Sequence, residues 1–215
     1  MKRKKKINKY AKHAENNYKP IEEEIFVRPI SRPLARVLKN VKFITPNNVA
    51  LLRLIIGVIL VPYFMISLNF VMAGIFVYVS FLLDKLDGDL ARVRKMASSY
   101  GAYIDSTFDM ICWAVWVIML AYSINFNNIL ILSLSVSAPF LYWFHYFEKL
   151  VYFPKIKPYK KGILNILKYN SAKHHLITVV FLIAGWVVPY FYFLVLLNFY
   201  TLLIFIRNLM VLKNV

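Results

Sequence analysis

Apolar stretches close to the ~20 residues that a helix needs to cross a bilayer run through this chain, and two neighbouring ones carry carboxylates. Six such stretches are legible, at about 46–67, 70–93, 99–123, 128–151, 174–188 and 190–211. With 60% apolar residues among 215, against the ~45–50% usual in soluble domains, the chain is expected to be an all-α integral membrane protein of six transmembrane helices.

The net charge of +17 excludes little until it is located. Most of it lies at residues 2–42 and 155–173, both flanking apolar segments. Lys and Arg placed there are attracted to anionic headgroups, so membrane lipid is the expected partner and nucleic acid is not. The turns at Ser67–Phe70, Ser123–Asn128 and Trp186–Tyr190 contain no Lys, Arg, Asp or Glu, whereas every other connection is basic. Six spans with both termini in the cytoplasm satisfy the positive-inside rule, with the protein in the cell membrane. The N-terminus has no apolar core near its start and does not read as a signal peptide. The single cysteine, Cys112, allows no internal disulfide.

Residues 1–19 form a basic tail that is expected to be flexible. In residues 20–44, Ile21, Ile25, Phe26, Ile30, Leu34, Val37 and Leu38 recur every three or four positions between basic residues. That pattern predicts an amphipathic helix lying in the membrane interface, bent near Pro29 and Pro33; a plain linker is the alternative. Residues 45–215 then form the six-helix domain.

The chain has ten acidic residues, and five are aspartates between positions 84 and 109. Ionisable groups within a span are costly unless they face partners, a cavity or a metal. Positions 84, 87, 88 and 91 share one helical stripe, and positions 98, 101, 105 and 109 share another. If the two helices form a hairpin turning near Met96–Ala97, Asp84 stands level with Asp109 and Asp87 with Asp105. The four carboxylates then converge about 10–16 Å from the cytoplasmic helix ends, with Gly101 leaving room opposite Arg92. Four like charges need a counter-charge, and the hard cations Mg²⁺ or Mn²⁺ suit an all-oxygen set. Two such ions would clamp both ends of a phosphoryl displacement. Asp89 points about 140° away from Asp84 and reads as an interfacial residue without catalytic duty. Charge and burial alone leave a cation or proton pathway, as in a transporter, as an alternative.

Residues 84–109 read D-x2-D-G-x2-A-R-x8-G-x3-D-x3-D. This resembles the signature of the CDP-alcohol phosphatidyltransferase family, with all eight fixed positions present. Thr45–Asn48 (TPNN) is similar to that family's entry into the first span, and RPISRP before it resembles members that make phosphatidylinositol phosphate or archaetidylinositol phosphate. The resemblance implies attack of an acceptor hydroxyl on a CDP-linked lipid, with CMP leaving. It implies metal ligation by Asp84, Asp87, Asp105 and Asp109, with Asp109 also the base that deprotonates the acceptor. Gly88 and Arg92 are the implied donor contacts, helped by Ser98, Asn47 and Asn48, and Ala91 with Gly88 leaves a shallow surface for the nucleotide. A homodimer is implied in the same way. Members that use inositol phosphate usually follow the last aspartate with Arg and a further Asp; here those places are Met110 and Trp113, which leaves open the acceptor, a small alcohol or phospho-alcohol.

Arg207 and the loop residues Lys160 and Lys161 are candidates for an anionic acceptor, topology signalling being the plainer reading. Arg53, two turns into the first span, is expected to snorkel to the interface rather than pair with the aspartates. His145, His174 and His175 have no acidic neighbours at ligand spacing and read as structural. An aspartate-rich membrane prenyltransferase, which would consume isoprenyl diphosphate, is the competing enzyme reading.

Overall fold

The computed structural model describes residues 21–133, 136–137, 140 and 171–212. Among these residues there are helices and turns but no strands. Two helices, α1 (Ile21–Phe26) and α2 (Arg28–Leu38), precede the first span. Of the segment expected to be helical at 20–44, residues 21–38 are helical apart from a break at Val27, just before Pro29 occupies the first turn of α2; Pro33 lies inside α2 without breaking it, and 39–44 form turns. Ser31 and Ala35 of α2 are buried, while Ile30, Leu34 and Val37 stay exposed on the other side. Such a face is what a helix in a membrane interface presents to lipid.

The first span runs from Pro46 to Ile66 as α3 (Pro46–Ile55), a π-helical turn (Ile56–Leu60) and α4 (Val61–Ile66). Thr45 caps it, its hydroxyl accepting from the Asn48 amide, and Pro46 follows at the first helical position, where its missing N–H costs nothing. The π turn has a local cause and a consequence. Val61 N–H reaches back to Ile56, and Pro62 has no N–H to give, so no backbone donor is left for the Gly57 carbonyl. Trp116 supplies one, its indole N–H lying 2.7 Å away. A methyl group at Gly57 would sit 2.5 Å from Cys112 Sγ, so this glycine lets the first and third spans touch.

Next come α5 (Phe70–Val93), α6 (Ser99–Ser123), α7 (Ser171–Ile183) and α8 (Val187–Leu212). Pro46–Ile66 and Tyr100–Ser123 are long and apolar enough to cross a membrane. At 24 residues α5 reaches about 36 Å, but it carries the charged motif. The helix ends after α4, α5, α6 and α7 share one cap. Leu68, Lys95, Asn125 and Gly185 take left-handed φ of 58°, 58°, 53° and 70°, and the next residue's N–H closes back five residues, as Met96 does onto Ala91 at 2.8 Å. The α5–α6 turn thus falls where the hairpin was expected. The turn expected at Trp186–Tyr190 instead centres on Gly185, because Pro189 fits within the first turn of α8, where no N–H is needed. Of the expected fourth span, residues 129–133 are helical; nearly all the rest, with the tail and the 155–170 loop, lies outside the described residues.

The apolar core joins α4, α5, α6, α7 and α8 through Met65, Val77, Trp116, Leu120, Leu182 and Phe191. At Gly74 the approach of α5 to α7 is tight enough that a methyl group would lie 2.8 Å from Ile183.

Candidate functional site

On α5 and α6 the carboxylates meet with Asp84 beside Asp105, where the helical period had put Asp84 level with Asp109. Asp84 and Asp87 are buried on α5, and Asp105 and Asp109 lie across from them on α6. Asp84, Asp105 and Asp109 share Arg53, whose expected path to the interface is wrong. Its side chain is 1% exposed, pairs with Asp84, and reaches Asp105 Oδ1 and Asp109 Oδ1 at 2.5 Å each. Its second terminal nitrogen also donates to the Asp105 carbonyl at 3.3 Å. The reason is electrostatic: two turns below Thr45, the guanidinium meets three carboxylates at a shorter reach than the headgroup region, and a buried charge keeps its partners. Asp87 adds its field to the same guanidinium.

Access to this cluster is one-sided. The Asp84 side chain is 1% exposed, whereas Asp109 and Asp105 are 26% and 44% exposed. The cluster is therefore open on its α6 side. The donor set is all oxygen, and three carboxylates already close around one positive charge, which fits the hard divalent cation expected there. As they stand they face Arg53, and among the described residues no three His, Cys, Asp or Glu side chains are spaced to hold a metal. Metal binding at these residues requires their pairing with Arg53 to loosen.

Lys85, which the sequence did not single out, extends the network. Its ammonium lies 2.6 Å from Asp84 Oδ2 and 3.0 Å from Glu23 Oε1, over the Phe81 ring. Glu23 also takes Arg28, at 2.9 Å, and Arg28 reaches Asp89 at 2.8 Å. Ser31 donates to the other Asp89 oxygen at 2.6 Å. Burial works against the charge on Arg28, but Asp89 and Glu23 outweigh it and raise its affinity for the proton. Asp89 is thus the post to which α2 is tied. Besides the local partners Asp84 and Arg92, Lys85 and Asp89 take Glu23, Arg28 and Ser31 from about 60 residues upstream, where no local spacing could reveal them.

The expected donor contacts divide. Arg92 is half exposed, gives one nitrogen to Asp89 at 2.6 Å and folds over Gly88, where a methyl group would meet the guanidinium at 3.3 Å. Gly88 therefore does leave room, but for Arg92. Gly101 does not face Arg92: the atom nearest to a methyl group there is Ser98 Oγ at 3.3 Å. The α5–α6 turn ends with Ser98 capping α6 and accepting from Gly101 N–H, which ties those two residues to each other. Asn47 and Asn48 are exposed at the start of α3, Asn48 donating to the Phe43 carbonyl at 3.0 Å. Ala91 is half-buried on the stripe of Asp84 and Asp87. Of the acceptor candidates, Arg207 lies in α8, and Lys160 and Lys161 fall outside the described residues. His174 and His175 are buried in an aromatic stack, with ring centres 4.0 Å from Trp113 and 4.8 Å from Phe81 respectively. That suits the structural reading; His145 lies outside the described residues.

A model of the family described as CDP-alcohol phosphatidyltransferase matches residues 43–157, just over half of the chain and all of the motif. The chain belongs to the CDP-alcohol phosphatidyltransferase family. It is a family of enzymes, generally dependent on a divalent metal. Among its relatives, the archaetidylinositol phosphate synthase of Pyrococcus horikoshii is 37% identical over 86 residues, 39% of this chain and 45% of that protein. The bifunctional IPC transferase and DIPP synthase of Thermococcus kodakarensis is 33% identical over 96 residues, 45% of this chain and 21% of that protein. The CDP-diacylglycerol–serine O-phosphatidyltransferase of Helicobacter pylori is 32% identical over 105 residues, 47% of this chain and 43% of that protein. The matches span less than half the length of each of these relatives.

Proposed function

We propose that this protein transfers a phosphatidyl or archaetidyl group from a CDP-linked lipid to an alcohol acceptor, releasing CMP, as a step of phospholipid synthesis. The observation that carries this reading is the convergence of Asp84, Asp105 and Asp109 on one buried positive charge, within the family's own motif. Divalent ions held by Asp84, Asp87, Asp105 and Asp109 would neutralise charge on the diphosphate. Asp109, partly exposed, takes the proton of the acceptor hydroxyl as that oxygen bonds to the lipid-bearing phosphorus and the bond to CMP breaks. Arg53 gathers Asp84, Asp105 and Asp109 and gives them up as the ions bind. Arg92, with half its surface open, swings a fork toward the diphosphate. Asn47, Asn48 and Ser98 border the nucleotide at the entry of α3 and α6.

The relatives' names include both inositol-phosphate and serine chemistry. In this chain Trp113 stands where inositol-phosphate members usually carry an aspartate, and it packs on His174 instead of presenting a carboxylate. An acceptor other than inositol phosphate is therefore the favoured reading. Six spans with the site facing the cytoplasm complete the proposal, supported by the charge-free turns and the exposed apolar face of α2.

Purified protein given CDP-diacylglycerol or its ether counterpart should release CMP only with Mg²⁺ or Mn²⁺ and an acceptor present, and Asp109→Asn should abolish release without unfolding the chain. CMP release by Asp109→Asn at the parent rate refutes the assignment.

A further inference from the structure

Away from the carboxylates, a cavity of about 550 Å³ opens between the end of α2, the segment leading to α3 and the turn after α5. Lys39, Lys42, Arg94 and Lys95 supply its charge, and no acidic residue lines it. Nor does Asn47, Asn48, Gly88, Arg92 or Ser98, so it is separate from the residues assigned to the CDP-linked donor.

Three features make this more than a basic surface. Arg94 spends its guanidinium on four backbone carbonyls, those of Leu38, Lys39, Val41 and Ile44, at 2.6, 2.9, 2.7 and 2.8 Å. These bonds fix the 38–44 segment, and they also satisfy carbonyls at the C-terminus of α2 whose partial negative charge would repel an anion. Lys95 holds the left-handed cap of α5, a conformation that glycine adopts without strain. Leu68 and Asn125 cap their helices in the same way, so the conformation itself is a helix-ending device; what is particular to Lys95 is a cation set beside a cavity. Finally, exposed apolar residues surround these lysines: Val37, Phe43 and Met96 are 72%, 78% and 56% exposed. Apolar side chains dipping beside lysines is the arrangement found where acyl chains give way to headgroups.

We infer that this cavity binds the phosphate of an anionic lipid headgroup, seating the juxtamembrane helix and the α5–α6 turn on the cytoplasmic leaflet. The recognised chemistry is a phosphate group with net negative charge, which a soluble phosphate also offers, so the experiment separates the two.

Full-length protein in detergent is titrated with phosphatidylglycerol, with phosphatidylcholine as the zwitterionic comparison, and bound lipid is counted by native mass spectrometry, with and without millimolar inorganic phosphate. Lys95→Gly removes the cation and relieves the backbone, so it should weaken phosphatidylglycerol binding about five-fold with no drop in melting temperature. Adding Lys39→Gln and Lys42→Gln should bring the loss to roughly a hundred-fold. Phosphatidylglycerol binding that inorganic phosphate leaves unchanged supports a membrane lipid; displacement by phosphate supports a soluble phosphate at the same site. Equal binding of the two lipids by the parent, or a triple variant that binds like the parent, overturns the inference. The lipids carry no nucleotide, so the result stands apart from the donor reading; CMP release at saturating donor should persist in Lys95→Gly.

Discussion

Toward the α5–α6 turn, the largest fully buried side chain is a guanidinium ringed by Asp84, Asp105 and Asp109. Toward the far ends of the same two helices, Val77, Leu120 and Phe191 are just as closed off and pack in a wholly apolar cluster. The first region is held by opposite charges that cannot be separated cheaply, the second by shape alone, because lipid is as apolar as the core it would replace. Volume should therefore decide what the apolar end tolerates, and charge what the other end tolerates.

Breaking the charged end first gives the largest effect. Arg53→Ala leaves three carboxylates facing one another and should cost about 3–5 kcal/mol, seen as a fall in melting temperature in divalent-free detergent solution. Arg53→Lys should recover part of that, since one ammonium cannot fork across three partners. At the apolar end, Leu120→Ala should cost about 2 kcal/mol, the low end of the usual range because no transfer from water is lost, and the remaining folded protein should keep its rate of CMP release. Asp89→Asn, on the charged helix but tied to α2, should cost about 1–2 kcal/mol and speed hydrogen exchange across residues 28–38, with the site's metal affinity unchanged. Smallest of all, Leu68→Gly at the turn after α4 should raise stability by up to about 1 kcal/mol by relieving its left-handed backbone.

The same division explains what could be read in advance. The helical period carries α5, α6 and the turn between them, and it puts Asp84 with Asp87 and Asp105 with Asp109 on common stripes, because those depend on neighbours three and four residues apart. The amphipathic helix was legible for the same reason. Arg53 was misjudged because snorkelling weighs one side chain against the interface, and its real partners come from two other helices, 31 to 56 residues away. The length of the first span and the spacing from Thr45 to Arg53 did place the guanidinium at the depth of Asp84, a signal that was available. Lys85, Glu23 and the Asp89 clasp depend on how α1 and α2 dock, which no single-helix pattern encodes. The π turn likewise needs Trp116, 59 residues on, to donate its indole N–H to the Gly57 carbonyl.

The central claim divides five nearby aspartates into four that share one cation site and one that anchors a helix. Binding of Mn²⁺, followed by electron paramagnetic resonance on purified protein, tests it most directly. Asp84→Asn and Asp105→Asn should each lose bound Mn²⁺ while Asp89→Asn binds like the parent. Retention of full Mn²⁺ binding by Asp84→Asn and Asp105→Asn, or its loss in Asp89→Asn alone, would contradict the account.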